Sequence, residues 1–167
     1  MKHKIIGILL LLGSFSATGV ESIYVGGAIG HVGLTGDASR FFTNGIGFGL
    51  DLGIRTNPLL QVDFSSQISP HGGDLTLFSE TFGANFHFYE LSDIDLSAGG
   101  GPGFYFFKTA GTPNSYFGIN IGGAADVVMA EAFRLGLGFR YHGLFGNAPG
   151  SYWTVMMRFG YSFEVDS

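Results

Sequence analysis

The sequence predicts an all-β fold, an eight-stranded antiparallel up-and-down barrel that spans a membrane. Apolar and polar residues alternate along most of the chain with the two-residue period of β-strands. Beyond the N-terminus, no apolar stretch approaches the roughly 20 residues of a membrane-spanning helix. Of 167 residues, 46% are hydrophobic, 13% are charged and 29 are glycine, a composition too apolar for disorder and too glycine-rich for a helical bundle.

Residues 1–19 have the features of a cleaved signal peptide. Two lysines precede an apolar run at residues 5–12, and small residues follow it. The Ala-Thr-Gly sequence ending at Gly19 is the favoured cleavage site, with Ser22 as the alternative. An uncleaved anchor or a buried strand is the competing interpretation. We therefore expect an exported barrel domain at residues 20–167.

Eight strands are expected after the signal peptide, each about as long as the 9 to 11 tilted residues that cross a bilayer. The predicted strands are Ser22–His31, Thr43–Ile54, Leu59–Ile68, Leu75–Tyr89, Asp93–Phe107, Ser115–Val128, Ala132–Phe145 and Tyr152–Val165. Alternate connections are short, at residues 55–58, 90–93 and 129–132, and the others are longer. Short periplasmic turns and longer outer loops are typical of outer-membrane barrels, and they place both termini in the periplasm.

The two faces of these strands differ in size as well as in polarity. In chain order, the bulky apolar face carries Ile46, Phe48, Leu50, Leu52 and Ile54, then Leu60, Val62 and Phe64, then Phe82, Ala84, Phe86 and Phe88, then Ile94, Leu96, Ala98, Phe104 and Phe106, then Phe117, Ile119, Ile121 and Val127, then Phe133, Leu135, Leu137, Phe139 and Tyr141, and finally Trp153, Val155, Met157, Phe159, Tyr161 and Phe163. The other face carries most strand glycines and charges. The interior of an eight-stranded barrel is narrow, so the glycine-rich face should point inward and the bulky face into lipid. A soluble lipocalin-like barrel is the alternative.

Aromatic side chains should collect at the two rims of the barrel. The outer set is Phe106, Phe117, Phe145 and Trp153, and the inner set is Tyr24, Phe88, Phe133 and Phe163. Glu80 is the one strand charge on the apolar face. We expect it at or beyond the outer rim, or turned inward by a β-bulge.

Charged residues on the inward face predict an ion-pair cluster in the lumen. Asp51, Asp63, Arg140 and Arg158 fall in the lower or middle parts of their strands, so we expect them to plug the middle of the lumen. Arg134 and Asp126 should pair nearer the periplasm. Buried charges are tolerated when they are paired and hydrogen-bonded. A structural network is favoured over an ion-conducting site.

Two stretches give the chain a family resemblance, "YFGINIGGAADVVMAEAFRLGLGFRYH" and the terminal "RFGYSFEV". The chain resembles the small outer-membrane β-barrels of Gram-negative bacteria, the OmpA-, OmpX- and OmpW-like group. The terminal stretch is similar to their assembly signal, matched by Arg158, Gly160, Phe163 and Val165, although this chain continues with two further residues. The resemblance implies a location in the outer membrane and contact with its lipid and lipopolysaccharide. It also implies passage through periplasmic chaperones and the barrel-assembly machinery.

The residue types limit the possible functions. A net charge of −5 with scattered basic residues argues against nucleic-acid binding, and the absence of cysteine excludes disulfides and thiolate sites. The histidines are dispersed, so we expect no enzyme activity, no metal and no cofactor. Two function classes stay open: a structural or passive small-solute transport role, and a surface interaction through the outer loops.

The signal peptide yields the first prediction. The protein extracted from outer membranes should lack about the first 19 residues, because the apolar run suits signal processing and is too short to span a bilayer. Intact-mass spectrometry of the extracted protein measures this directly. An intact Met1 on protein fractionating with the inner membrane would contradict the assignment.

Overall fold

The structure is a computed structural model that describes residues 19–91, 93–109, 113–129 and 132–165. The predicted signal peptide, apart from its last residue, lies outside the described residues. Among the residues described, no helix has both the length and the apolar character needed to cross a membrane.

Eight antiparallel strands form one closed barrel in sequence order, with β8 pairing with β1. The strands are β1 Ser22–Leu34, β2 Gly45–Asn57, β3 Leu60–Pro70, β4 Thr76–Leu91, β5 Ile94–Lys108, β6 Pro113–Met129, β7 Phe133–Leu144 and β8 Tyr152–Glu164. One short helix, α1 (Ala38–Phe41), lies in the loop between β1 and β2. The fold prediction is confirmed, and most strands extend a few residues beyond their predicted ends.

The bulky apolar residues lie on the outside of the barrel. Leu50 is 70% exposed, Ile121 66% and Leu137 62%, whereas Asp95 on the opposite parity is 1% exposed. The middle of the interior is lined by small residues, among them Ala28, Gly49, Gly83, Ala124 and Gly138. The predicted facing is therefore confirmed: residue size assigns each face, because only small side chains leave room in so narrow a lumen.

Among the aromatic residues expected at the two rims, Tyr24 is the one that does not face outward. Its side chain is 5% exposed and lies inside the barrel, with the Arg158 guanidinium carbon 6.0 Å from its ring centre. A Cβ atom at Gly160 would lie 2.4 Å from the Tyr24 ring, so only glycine fits there. Tyr24 faces inward because it shares the parity of Gly26 and Ala28, with Ile23 and Val25 on the outer face.

Glu80 faces outward in an undisturbed part of β4. It stands opposite Ser66 on β3 and Phe104 on β5 in regular register. The β4–β5 irregularity lies farther along, between His87 and Tyr89, so the inward-turning bulge expected as an alternative is wrong. Glu80 lies inside the strand, one outward position below Phe78, and it is partly exposed.

The exposed apolar face yields a prediction for charge substitution. Leu137→Arg, near the middle of the outer face of β7, should lower the free energy of unfolding by about 2 to 4 kcal/mol, because an arginine at the bilayer midplane is costly. Phe145→Arg, just beyond the outer end of the same strand, is the matched control and should cost less than about 1 kcal/mol. Equilibrium refolding into lipid vesicles measures both. Equal losses at the two sites would show that this face is not in lipid.

Candidate functional site

The outer end of the lumen is filled by an apolar cluster, here called the outer plug. Its buried members are Val32, Leu34, Ala38, Leu75, Leu77, Tyr105, Phe107 and Tyr152. Most are inward-facing residues near the outer strand ends, while Ala38 comes from α1 and Leu75 from the loop before β4. The rings of Tyr105 and Tyr152 meet edge to face with centres 5.8 Å apart, and both are 0% exposed. The outer plug therefore closes the lumen on the loop side.

His142 forms the floor of the outer plug. Its ring stacks on Tyr152 with centres 4.2 Å apart and planes 7° from parallel. Its Nδ1 atom lies 3.2 Å from the Tyr105 hydroxyl, and the residue is 2% exposed. His142 thus joins the apolar plug above to the polar cavity below.

Below the outer plug lies a polar cavity of about 70 Å³, here called the chamber. Asp51, Asp63, Arg140 and Arg158 all line it, so the structure brings together the four residues predicted for the middle of the lumen. Liquid water occupies about 30 Å³ per molecule, so the chamber has room for two or more waters among polar partners.

Within the described chain, the four chamber residues make no direct ion pair with one another. Asp63 accepts hydrogen bonds from Gln61 at 2.6 Å and from Asn85. Arg140 donates to the Asn120 carbonyl oxygen at 2.6 Å. Neighbouring amide side chains thus satisfy two of the four charges. Of the two expected arrangements, direct contact or contact through water, direct contact is not found among the described residues, and the four charges surround a shared cavity large enough for water.

The periplasmic end of the lumen is closed by five charged residues and one histidine, here called the inner ionic layer: Arg55, His87, Asp95, Asp126, Arg134 and Arg158. Asp95 is its centre. It accepts from Arg134 at 2.5 Å and from His87 Nδ1 at 2.7 Å, and Arg55 lies 3.5 Å away. All three partners belong to other strands, and the side chain of each is largely buried.

The predicted ion pair between Arg134 and Asp126 does not form. Arg134 binds Asp95, and Asp126 lies 3.3 Å from Arg158. Arg134 and Asp95 stand near the periplasmic ends of β7 and β5 and reach across the lumen at one level. Strand parity and approximate depth placed these groups at the correct end, but they could not select between two nearby carboxylates.

Sequence reasoning missed Arg55 and His87 as members of this layer. The sequence does contain a signal for them, because both residues have the inward parity and lie close to the periplasmic ends of their strands, as Asp95 does. A cavity of about 10 Å³ lies beside His87 and Asp126, and His87 Nε2 and Asp126 Oδ1 are buried without a hydrogen-bond partner in the described chain. This space is close to the smallest that holds one water molecule.

The four residues of the proposed assembly signal divide between the two faces. Arg158 belongs to the inner ionic layer and Gly160 makes room for Tyr24, whereas Phe163 and Val165 are exposed on the outside. Phe163 is 51% exposed, and its ring centre is 4.8 Å from that of Tyr161. Arg158 and Gly160 therefore have structural roles in the lumen, while recognition by the assembly machinery stays a prediction.

A histidine joins two loops outside the strands. The buried His71 Nδ1 lies 2.9 Å from the Thr43 carbonyl oxygen, to which it donates, and its Nε2 lies 2.8 Å from the Ser69 hydroxyl. Burial lowers the pKa of His71, which favours the neutral imidazole that this donor and acceptor pattern requires. Among the described residues there is no group of three or more side chains suited to hold a metal ion.

Comparisons with known proteins bear on the fold. No protein-family model matches the sequence, and no curated protein is significantly similar to it. Solved structures match well. The N-terminal β-barrel domain of Pseudomonas aeruginosa OprF superimposes with a TM-score of 0.68 at 13% identity, covering 87% of this chain and 100% of that one. This chain has the fold of the small eight-stranded outer-membrane barrels.

Two further structures extend the likeness. The outer membrane protein OprG of Pseudomonas aeruginosa gives a TM-score of 0.66 at 13% identity, covering 89% of this chain and 99% of its own. Ail, the attachment invasion locus protein of Yersinia pestis, gives 0.59 at 23% identity, covering 88% and 100%. At these identities the comparison concerns the fold and not a specific role.

The inner ionic layer yields a stability prediction. Asp95→Asn should lower the free energy of unfolding by about 3 to 5 kcal/mol, because it leaves Arg55 and Arg134 buried without their counter-charge. Asp37→Asn is the control, since the ion pair of Asp37 with Arg40 is 73% and 76% exposed and should contribute less than about 1 kcal/mol. Urea titration of folded protein in detergent micelles measures both. A loss at Asp95 no larger than that at Asp37 would contradict the central role of Asp95.

Proposed function

We propose that the protein is an integral outer-membrane β-barrel with a structural role and a lumen that stays closed to solutes. The observation that carries the proposal is the pairing of an apolar exterior with a lumen filled at both ends. The exterior suits a bilayer, because a closed sheet leaves no unpaired strand edge in hydrocarbon. The similar solved structures named as outer-membrane barrels support this location.

The lumen favours a structural role over passive transport. Above the chamber, Tyr105 and Tyr152 are fully buried in the outer plug. Below it, Asp95 is 1% exposed and holds the side chains of two arginines and one histidine. A solute would have to displace both closures, and the chamber between them has a volume of only about 70 Å³.

The expected environment follows from the same proposal. Cleavage of the signal peptide would release a chain whose two termini remain in the periplasm. The partners would be outer-membrane lipid and lipopolysaccharide in the folded state, and periplasmic chaperones and the assembly machinery before it. Ail, which shares the fold, has also been solved in a phospholipid bilayer nanodisc, which supports lipid contact for this architecture. No enzyme activity is proposed.

A surface interaction is the second candidate function, and one exposed side chain favours it. Phe41, on α1 at the outer end of the barrel, is 75% exposed beside the equally exposed pair of Asp37 and Arg40. Exposed aromatic side chains are common at the centres of protein contacts. Loss of surface binding on Phe41→Ser, with the barrel still folded, would favour this second role.

Planar-bilayer conductance tests the closed lumen. We expect no large, stable single-channel conductance from the unmodified protein, because both closures are intact. Tyr152→Ala combined with Arg158→Ala should produce measurable openings, since the pair removes bulk from the outer plug and an ion pair from the inner ionic layer. Arg140→Ala is the control. Arg140 lines the chamber between the closures, so this variant should enlarge the chamber without opening a path.

A large, stable conductance from the unmodified protein would overturn the closed lumen and support passive transport instead. Failure of the protein to insert into bilayers at all would overturn the membrane assignment.

A further inference from the structure

Among the acidic and basic residues on the outer face, Glu80 and His31 lie inside their strands near the outer end, whereas Lys108 is the last residue of β5. Glu80 on β4 faces outward between Phe78 and Phe82. His31 on β1 also faces outward, and it is exposed, with its ring centre 5.2 Å from that of Trp153. Both residues lie within their strands rather than in the loops, so both belong to the surface that the proposed function places in lipid.

Glu80 has no partner of its own in the described chain. Its Cα neighbours across the two ladders are Ser66 and Phe104, and its side chain makes neither a hydrogen bond nor an ion pair among the residues described. A carboxylate facing hydrocarbon is costly unless a hydrogen-bond donor or a cation meets it. No described residue of the barrel meets this need, so a partner from outside the barrel would satisfy it.

His31 has the chemistry that Glu80 lacks. An imidazole donates a hydrogen bond when neutral and carries a positive charge when protonated, and either form suits a carboxyl group. The two residues also lie at a similar distance from the outer ends of their strands. His31 is three residues before the end of β1 at Leu34, and Glu80 is four residues after the start of β4 at Thr76.

The two residues cannot meet within one barrel. They lie on β1 and β4, separated by two intervening strands around the closed sheet, and both point outward. Copies of one protein in a membrane share the same orientation and depth, so a neighbouring copy rotated about the membrane normal can present its His31 to Glu80. We infer that Glu80 is one half of a contact between copies of this chain, and that His31 of the adjacent copy is the other half.

The outer face near Glu80 combines bulky rings with one low stretch. Glu80 stands opposite Phe104 and next to Phe82 on the outer face. Four residues further along β4, Ala84 stands opposite Gly100, so the surface is low there. Association within lipid depends on close packing and polar contacts, because lipid tails already solvate apolar side chains. The carboxylate supplies a polar contact, and the low stretch leaves room for close packing of a neighbouring copy.

Such a contact joins two different patches, so it is heterologous. Heterologous contacts form rings where the rotation closes and open chains where it does not. The prediction is therefore a contact of His31 with Glu80, and not of either residue with itself. This distinguishes it from a two-fold symmetric dimer.

Cysteine cross-linking tests the contact directly, because the natural sequence contains no cysteine. His31→Cys and Glu80→Cys proteins are refolded into the same vesicles and oxidised. We expect disulfide-linked dimers from the mixture, monomers from each variant alone, and a ladder of oligomers from the double variant. Ile121→Cys mixed with His31→Cys is the control, as it is lipid-facing and 66% exposed but lies away from the proposed contact, and it should stay monomeric.

A second experiment removes the carboxyl group of Glu80 without introducing a cysteine. Glu80→Leu should weaken self-association, measured by energy transfer between labelled copies in vesicles, by on the order of tenfold, as expected for one polar contact in lipid. Dimers from Glu80→Cys alone would show a symmetric interface and overturn the inference. The inference would also be overturned if the mixture gave no cross-link and Glu80→Leu left the energy transfer unchanged. That result would mean that lipid alone surrounds the carboxyl group.

The inference rests on the proposed membrane insertion, and the two are tested separately. Resistance of the refolded protein to extraction from vesicles by alkaline carbonate reports insertion. If the protein is inserted but positions 31 and 80 do not cross-link, only the proposed contact between copies is overturned. Protein that is extracted by carbonate overturns the proposed function itself.

Discussion

The narrow bore of an eight-stranded closed sheet is the constraint on which the rest of this structure depends. The interior has room only for small side chains and a few well-packed large ones. Residues such as Gly49, Gly83 and Gly138 therefore line the middle of the lumen, and the bulky residues of the same strands are displaced to the outside. An apolar exterior then requires lipid, and lipid in turn requires that no strand edge be left open. Size, facing and environment follow from one geometric limit.

The same limit organises the interior into levels. Most of the large apolar side chains inside the barrel lie near the outer strand ends, where Tyr105 and Tyr152 meet edge to face and residues from the loops complete the cluster. Charges occupy the periplasmic end, where Asp95 meets two arginines and a histidine at distances of 2.5 to 3.5 Å. Between the two, small side chains leave space for water. Each closure thus uses a different interaction, apolar packing at one end and paired charge at the other.

Strand periodicity was sufficient to predict the strands, their order and their facing, because each depends on residues near one another in sequence. Leu137 and Asp51 were assigned to the correct faces for this reason. The partner of Arg134 depends on what lies across the lumen at the same level. That contact joins residues far apart in sequence, and parity carries no information about it. The outer plug was missed for a related reason, since part of it comes from α1 and a loop. The inward position of Tyr24 follows from the parity that it shares with Gly26 and Ala28, and it was missed because the residue was assigned to the rim by its depth alone.

The strands that supply Asp95 and its partners are distributed around the barrel. Asp95 is on β5, Arg55 on β2, His87 on β4 and Arg134 on β7, so only His87 comes from an adjacent strand. A partly assembled sheet gains little from these charges, because Arg55 and Arg134 approach Asp95 only when the sheet has curled into a tube. The contacts of this layer therefore stabilise the closed barrel more than any open hairpin or partial sheet. A barrel in the wrong strand register would leave the carboxylate without these partners, so the layer also favours the correct register.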